Sequence, residues 1–270
     1  MNNQTLKIAT RSNISPFFAM EVMRDANERQ AAGEDILHLE VGEPCFGAPK
    51  EVITSAQHLL NQGHLGYTEA LGLPAFRQAI SAHYKSNYGV GISADRVVAT
   101  FGASGAFLLA FLASFDVGDR VAIIEPGYPA YRNILQALGI EVVPIRPAPS
   151  SKFHNVIELL QQNYPLQGLI VASPANPTGT MLTANELSTL ISWCKTHQVR
   201  LISDEIYHGI NYDRAPMTAA RYDENIIVIN SFSKYFSMKS WGEPAWTVLT
   251  RRYLRIISVS YTHLTLPTKA

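Results

Sequence analysis

Cysteine is scarce in this 270-residue chain: it has two, Cys45 and Cys194, and neither stands in a CxxC or Cys/His spacing. This argues against a disulfide framework or a zinc site and fits the reducing cytoplasm. An excess of one charge is also lacking. Lys+Arg and Asp+Glu both count 22, so no net field recruits nucleic acid or an anionic membrane. Long hydrophobic runs are missing too. The longest, "AFLLAFLASF", is too short to span a bilayer, and "MNNQTLKIATRSNISPFF" at the start has no continuous apolar stretch of the signal-peptide kind. Neither GxGxxG nor GxxxxGK[ST] occurs, which removes the dinucleotide and P-loop fingerprints. Repeats, low-complexity tracts and a helix-turn-helix segment before residue 40 are absent as well. A neutral, globular, ligand-handling protein is left, with 47% hydrophobic residues and length enough for a sizeable core.

From about residue 95 short β-branched runs alternate with amphipathic stretches. "RVVAT" (96–100), "RVAIIE" (120–125), "IEVVPI" (140–145), "GLIVAS" (168–173), "VRLISD" (199–204) and "NIIVIN" (225–230) read as buried strands. "SGAFLLAFLASF", "YRNILQALG", "NVIELLQQN" and "ANELSTLISWCKTH" read as helices, the last opened by a capping box of Thr183 and Glu186. Apolar strands separated by helices predict a three-layer α/β/α domain with a mainly parallel sheet. Ligands of such sheets sit beyond the carboxyl ends of the strands. The polar residues of interest follow five strands: "FGASGA", "PGYP", "PANPTG", "EIYHG" and "SFSK".

Each cluster has an ordinary reading when taken alone. "GASGA" is a tight strand-to-helix turn, or a helix start whose free N–H groups and Ser104 hydroxyl hold a phosphate. "NPTG" around Asn176 is a turn with Pro177 at its second position and Gly179 at its fourth, and Tyr128 in "PGYP" is a packing residue or a stacking plate. Asp204 ends an apolar run, where an unpaired carboxylate is costly; it needs an arginine, a helix end or a heterocyclic N–H⁺, and Tyr207 stands three residues on. Lys234 ties the set together. It follows an apolar strand and the serines Ser231 and Ser233, where partial desolvation favours the neutral amine that attacks a carbonyl. Lysine nucleophile, phosphate cradle, carboxylate, hydroxyl and amide donors and an aromatic plate together describe a pyridoxal 5′-phosphate site.

In order and spacing, "HLEVGEP", "GYTEALGLPAFRQAI", "GASGA", "PGYP", "NPTG", "SDEIY" and "SFSK" resemble the fold-type I, pyridoxal-phosphate-dependent aminotransferases of class I/II. The resemblance implies that Lys234 forms the imine with the cofactor and moves the proton between Cα and C4′, and that Asp204 keeps the pyridine nitrogen protonated. It implies Tyr207 and Asn176 at the 3′-oxygen, Tyr128 stacked on the ring, and Ala103, Ser104, Ser231 and Ser233 at the phosphate. Tyr67 would reach the phosphate of a neighbouring subunit and Gly42 would lie near the substrate carboxylate, both implying a homodimer with shared sites. The reaction implied moves an amino group from an L-amino acid to a 2-oxo acid. A C–S lyase or decarboxylase of the same fold type, or a non-catalytic remnant, are the alternatives. By this resemblance residues 1–45 are an N-terminal arm and the first part of a small domain, 46–257 the cofactor-binding large domain, and 258–270 an unassigned tail.

The resemblance breaks after Met238. The family pattern resembles MTGWRLGW, with a phosphate-clamping arginine eight residues after the lysine; here "MKSWGEPAW" puts Gly242 there, and Arg251, Arg252 and Arg255 are out of register. The expectation is a C-terminally truncated chain whose text after about Met238 is foreign to the fold, with weakened cofactor binding and impaired turnover.

Overall fold

The computed structural model describes residues 6–63, 66–148, 155–212, 214–238 and 244–249. Two helices come first, α1 (Phe18–Ala31) and α2 (Lys50–Asn61), and neither buries a residue within this chain. α3 (Pro74–Tyr88) starts with proline, whose missing N–H costs nothing at a first turn, and ends at Gly89 with φ of 66°, a conformation glycine adopts without strain. Strands and helices then alternate: β1 (Val97–Phe101), α4 (Gly102–Ser114), β2 (Arg120–Ile124), α5 (Pro129–Ala137), β3 (Glu141–Ile145), α6 (Val156–Gln162), β4 (Gly168–Ala172), α7 (Ala184–Thr196), β5 (Arg200–Asp204), β6 (Ile227–Ser231) and β7 (Pro244–Val248). The capping box at Thr183 forms as expected: Glu186 N–H donates to the threonine hydroxyl, and the Thr183 amide to the Glu186 carboxylate.

The strands form one sheet in the order β1-β7-β6-β5-β4-β2-β3. Its pairs are parallel except those of β7, which runs antiparallel to both β1 and β6. Successive side chains of a strand point to opposite faces, and each face has its own core. Leu169, Val171, Leu201 and Val228 pack with Tyr84 of α3, Leu160 of α6 and Leu190 of α7. Ile170, Ile202, Ile227 and Ile229 pack with Phe107 and Phe111 of α4 and Leu135 of α5. The three-layer architecture predicted from the sequence is the one observed. Pro144 is confined to the edge strand β3 and Pro244 to the first position of β7, where a missing ladder donor is tolerated.

β7 corrects the sequence reading. Residues 244–249 lie beyond Met238, yet they fill the gap between β1 and β6, and Ala245, Trp246, Thr247, Val248 and Leu249 are all buried. This stretch belongs to the fold. The expected tail, 258–270, falls outside the described residues, as do Gly242, Arg251, Arg252 and Arg255. No helix among the described residues is long and apolar enough to cross a membrane.

Candidate functional site

Parallel strands bring their carboxyl ends to one edge, and the chemistry-bearing residues lie there. Asp204 closes β5, flanked in register by Ala172 of β4 and Ile229 of β6. It is 3% exposed. Oδ1 accepts from the Ile206 amide at 3.1 Å, and Oδ2 accepts from the Tyr131 hydroxyl. Burial pushes its carboxyl up to about 6, against the pull of these donors and of the Lys234 charge. The partner that an isolated aspartate needs is thus a phenol on α5, which the sequence reading did not single out. Tyr131 reads there as one more apolar position of an amphipathic helix.

Lys234 sits on the turn beyond β6. Its base is closed by the Met238 amide donating to Phe232 O at 3.1 Å, with Ser237 held at a left-handed φ of 53°. The Ser231 and Ser233 hydroxyls share a hydrogen bond of 2.8 Å, and the Ser233 amide donates to Ser231 Oγ at 3.0 Å. Phe232 anchors the turn against Trp246 of β7, with ring centroids 4.7 Å apart. Lys234 is half-buried, and its Nζ lies 5.9 Å from the centre of the Tyr207 ring. On the other side Tyr235 packs so closely on Gly209 that a Cβ there would lie 2.5 Å from the ring. Only glycine fits, both for space and for its φ of 96°.

Tyr207 and Asn176 come from different loops. Asn176 Nδ2 donates to Tyr207 Oη at 3.4 Å, a long contact. Burial raises the Tyr207 phenol above its ordinary value, and the Asp204 charge adds to this. The "NPTG" turn closes one residue wider than a simple β-turn, with the Gly179 amide donating to Ala175 O at 2.7 Å. Tyr128 precedes α5 and meets Tyr131 and Phe17 edge-on, at 5.4 and 5.8 Å between centroids. Its turn is braced by Glu125, which accepts from Arg132 and, at 2.9 Å, from Arg146. A cavity of about 420 Å³ opens at the opposite edge, around Lys195 and Arg200. The larger one, about 670 Å³, is lined by Tyr128, Tyr131, Asn176 and Arg214, but Lys234 and Asp204 are not among its walls.

α4 opens directly from β1 with Gly102 at φ 68°, and the side chain of its N-cap residue, Phe101, makes no capping hydrogen bond. The N–H groups of such a turn have no partner within the helix and attract an anion. Ala103 is half-buried and Ser104 exposed in that turn. α4 also packs against β6, which ends at Ser231. Tyr67, 87% exposed, and Gly42, also exposed, stand outside this bonded cluster. Among the described residues no group of His, Cys, Asp and Glu could hold a metal ion.

Behind Tyr207 lies a buried polar group that sequence reasoning also missed. His208 is 5% exposed; its Nε2 is 3.0 Å from Ser173 O and its Nδ1 2.9 Å from Tyr88 Oη. Glu205 is 1% exposed and accepts at Oε1 from the Ala219 amide (2.7 Å) and the Ser203 hydroxyl (3.1 Å). Burial pushes Glu205 up to about 7 and His208 down to about 4. Only the run of polar and titratable residues directly after an apolar strand, "SDEIYH", hinted at this.

The chain matches proteins of known kind along most of its length. The profile of the family "Aminotransferase class I and II" covers residues 34–242. Valine–pyruvate aminotransferase of Mycobacterium tuberculosis is 48% identical over 240 residues, which is 88% of this chain and 62% of that enzyme. The crystal structure of an aminotransferase from the same organism superposes with a TM-score of 0.91 at 45% identity, over 97% of this chain and 68% of that one. Aspartate aminotransferase from Thermus thermophilus, solved with maleate, gives 0.92 at 25% identity, over 96% of this chain and 69% of that one. The chain therefore spans about three fifths of the curated relative it matches. With the fold, the motif order and the family profile in agreement, the chain belongs to the class I and II aminotransferases.

Proposed function

We propose that this chain carries the cofactor site of a pyridoxal-5′-phosphate-dependent aminotransferase, which moves an amino group from an L-amino acid to a 2-oxo acid. The observation that carries the reading is the placement of Lys234, on a turn beyond β6, beside a buried Asp204 at the end of β5. The donor set fits the group: a buried carboxylate suits a ring N–H⁺, and an uncapped helix start with two serines on the neighbouring strand end suits a phosphate. Bound there, the cofactor supplies an aldehyde and an electron-accepting ring.

The protein's own groups supply the rest. Lys234 Nζ would be the nucleophile that holds the aldehyde and, when free of it, a base already held at the site, with no diffusional step. Asp204 accepts the ring N–H⁺, and that cation lowers the cost of keeping its carboxylate ionised. Asn176 and Tyr207 direct an N–H and an O–H to the ring oxygen, and Tyr128 supplies an aromatic face. Ala103 and Ser104 of α4, with Ser231 and Ser233, take the phosphate.

The reading includes a cytoplasmic homodimer, in line with two free cysteines and with α1 and α2, which bury no residue in one protomer. In that dimer Tyr67 reaches the partner's phosphate and Gly42 lies near the substrate carboxylate. Valine and pyruvate, the pair named for the 48% identical relative, are the first substrates to try. The test is a visible absorption titration of the purified chain with pyridoxal 5′-phosphate. A band present in the wild type and lost in Lys234→Ala is expected; no band, or one that survives the substitution, refutes the reading.

A further inference from the structure

Asn176 and Tyr207 reach the proposed ring oxygen from two different loops, and their own contact at 3.4 Å is too long to fix their spacing. Ser173, at the root of the Asn176 loop, is tied down by all three of its polar groups. Its amide donates to Asp204 O at 3.1 Å, its hydroxyl accepts from the Leu182 amide at 3.0 Å and so closes the loop, and its carbonyl faces His208 Nε2 at 3.0 Å. A carbonyl can only accept, so Nε2 carries the imidazole proton. Neutral imidazole then leaves Nδ1 as an acceptor for the Tyr88 hydroxyl at 2.9 Å. Glu205 Oε2 stands 3.6 Å from Nδ1, beyond hydrogen-bonding reach.

We propose that His208 is a positioning residue for the cofactor site: as the Nε2–H tautomer it straps the Asn176 loop after β4 to the Tyr207 turn after β5, with Tyr88 of α3 holding the ring. His208 adjoins Tyr207 in the chain and bonds the residue that roots the Asn176 loop. The strap therefore sets the spacing of two donors that converge on one oxygen. Nothing local in the sequence joins residues 88, 173 and 208. The positioning role rests on the pyridoxal-phosphate reading above; the strap itself does not.

Two measurements test it on the purified chain: amide hydrogen exchange of segments 173–182 and 205–210 without cofactor, and affinity for pyridoxal 5′-phosphate from the visible band. His208→Leu is expected to speed exchange in both segments together, leaving the core of β4 and β5 protected, and to weaken binding by about tenfold, the equivalent of one buried hydrogen bond. His208→Gln, whose amide can both donate to Ser173 O and accept from Tyr88, is expected to restore most of both. Tyr88→Phe, which removes a single hydroxyl, is expected to fall between them and serves if His208→Leu does not fold. Wild-type exchange or wild-type affinity in both His208→Leu and Tyr88→Phe overturns the proposal. A wild-type chain that develops no band refutes the cofactor reading instead; coordinated exchange of the two segments would then still support the strap, and independent exchange would overturn it.

Discussion

The phenol of Tyr131, on α5, donates its hydrogen bond to Oδ2 of Asp204 at the end of β5. Two buried groups from different layers thereby settle how an aspartate survives at 3% exposure. Removing the donor in Tyr131→Phe leaves a buried carboxylate short of a partner, so the Asp204 carboxyl rises above its present value of about 6. The expected loss of stability is about 2 kcal/mol near pH 8, where Asp204 is ionised, and less near pH 5, where it is protonated. Urea denaturation at the two pH values measures it, and an equal loss at both contradicts the assignment.

Glu205 makes stability depend on pH. Its carboxyl is raised to about 7 from an ordinary 4.5, so between those values the native state holds a proton that the unfolded chain has released. Stability falls as pH rises through that window. Asp204, raised to about 6, adds to the fall, while His208, lowered to about 4, works the other way between about pH 4 and 6.5. Glu205→Gln isolates the first contribution. Relative to that variant, the wild type is expected to lose about 3 kcal/mol between about pH 4 and pH 8. A difference that stays flat across the range refutes the buried-proton account.

Trp246 tests whether the chain after Met238 is structural. It is 2% exposed and sets its ring, tilted by 58°, at 4.7 Å from that of Phe232, at the root of the Lys234 turn. Trp246→Ala is expected to cost about 4 kcal/mol in chemical denaturation, against little for Tyr212→Ala at a side chain 96% exposed. Equal and small effects would mean that β7 is not part of the core.

The strands that were legible in the sequence are those whose apolar runs are continuous and bounded by turn residues. Each observed boundary of β1 to β6 lies within two residues of the run that marked it, because strands buried on both faces need apolar side chains at every position. β7 was not legible. "PAWTV" is short, opens with proline and follows text that departs from the family pattern, and its place between β1 and β6 depends on pairing across most of the chain. At the site, Lys234, Asp204, Tyr207 and Asn176 were singled out because the proposed chemistry calls for those residue types after strands. Tyr131 and His208 were not. Their roles depend on partners 73 and 35 residues away, and helix periodicity registers a tyrosine only as an apolar side chain.

The position of β7 also governs the order of assembly. β1 and β6 are not paired with each other; Val97 finds its register against Val248, and Val228 pairs with the same residue from the other side. A chain still emerging from the ribosome can pair β2 to β6 in parallel, but β1 has to wait with an unpaired edge until the residues of β7 are free to enter. The sheet closes late, one strand in from its β1 edge, through a contact between distant parts of the sequence, the kind of step that slows folding and leaves edges open to wrong partners.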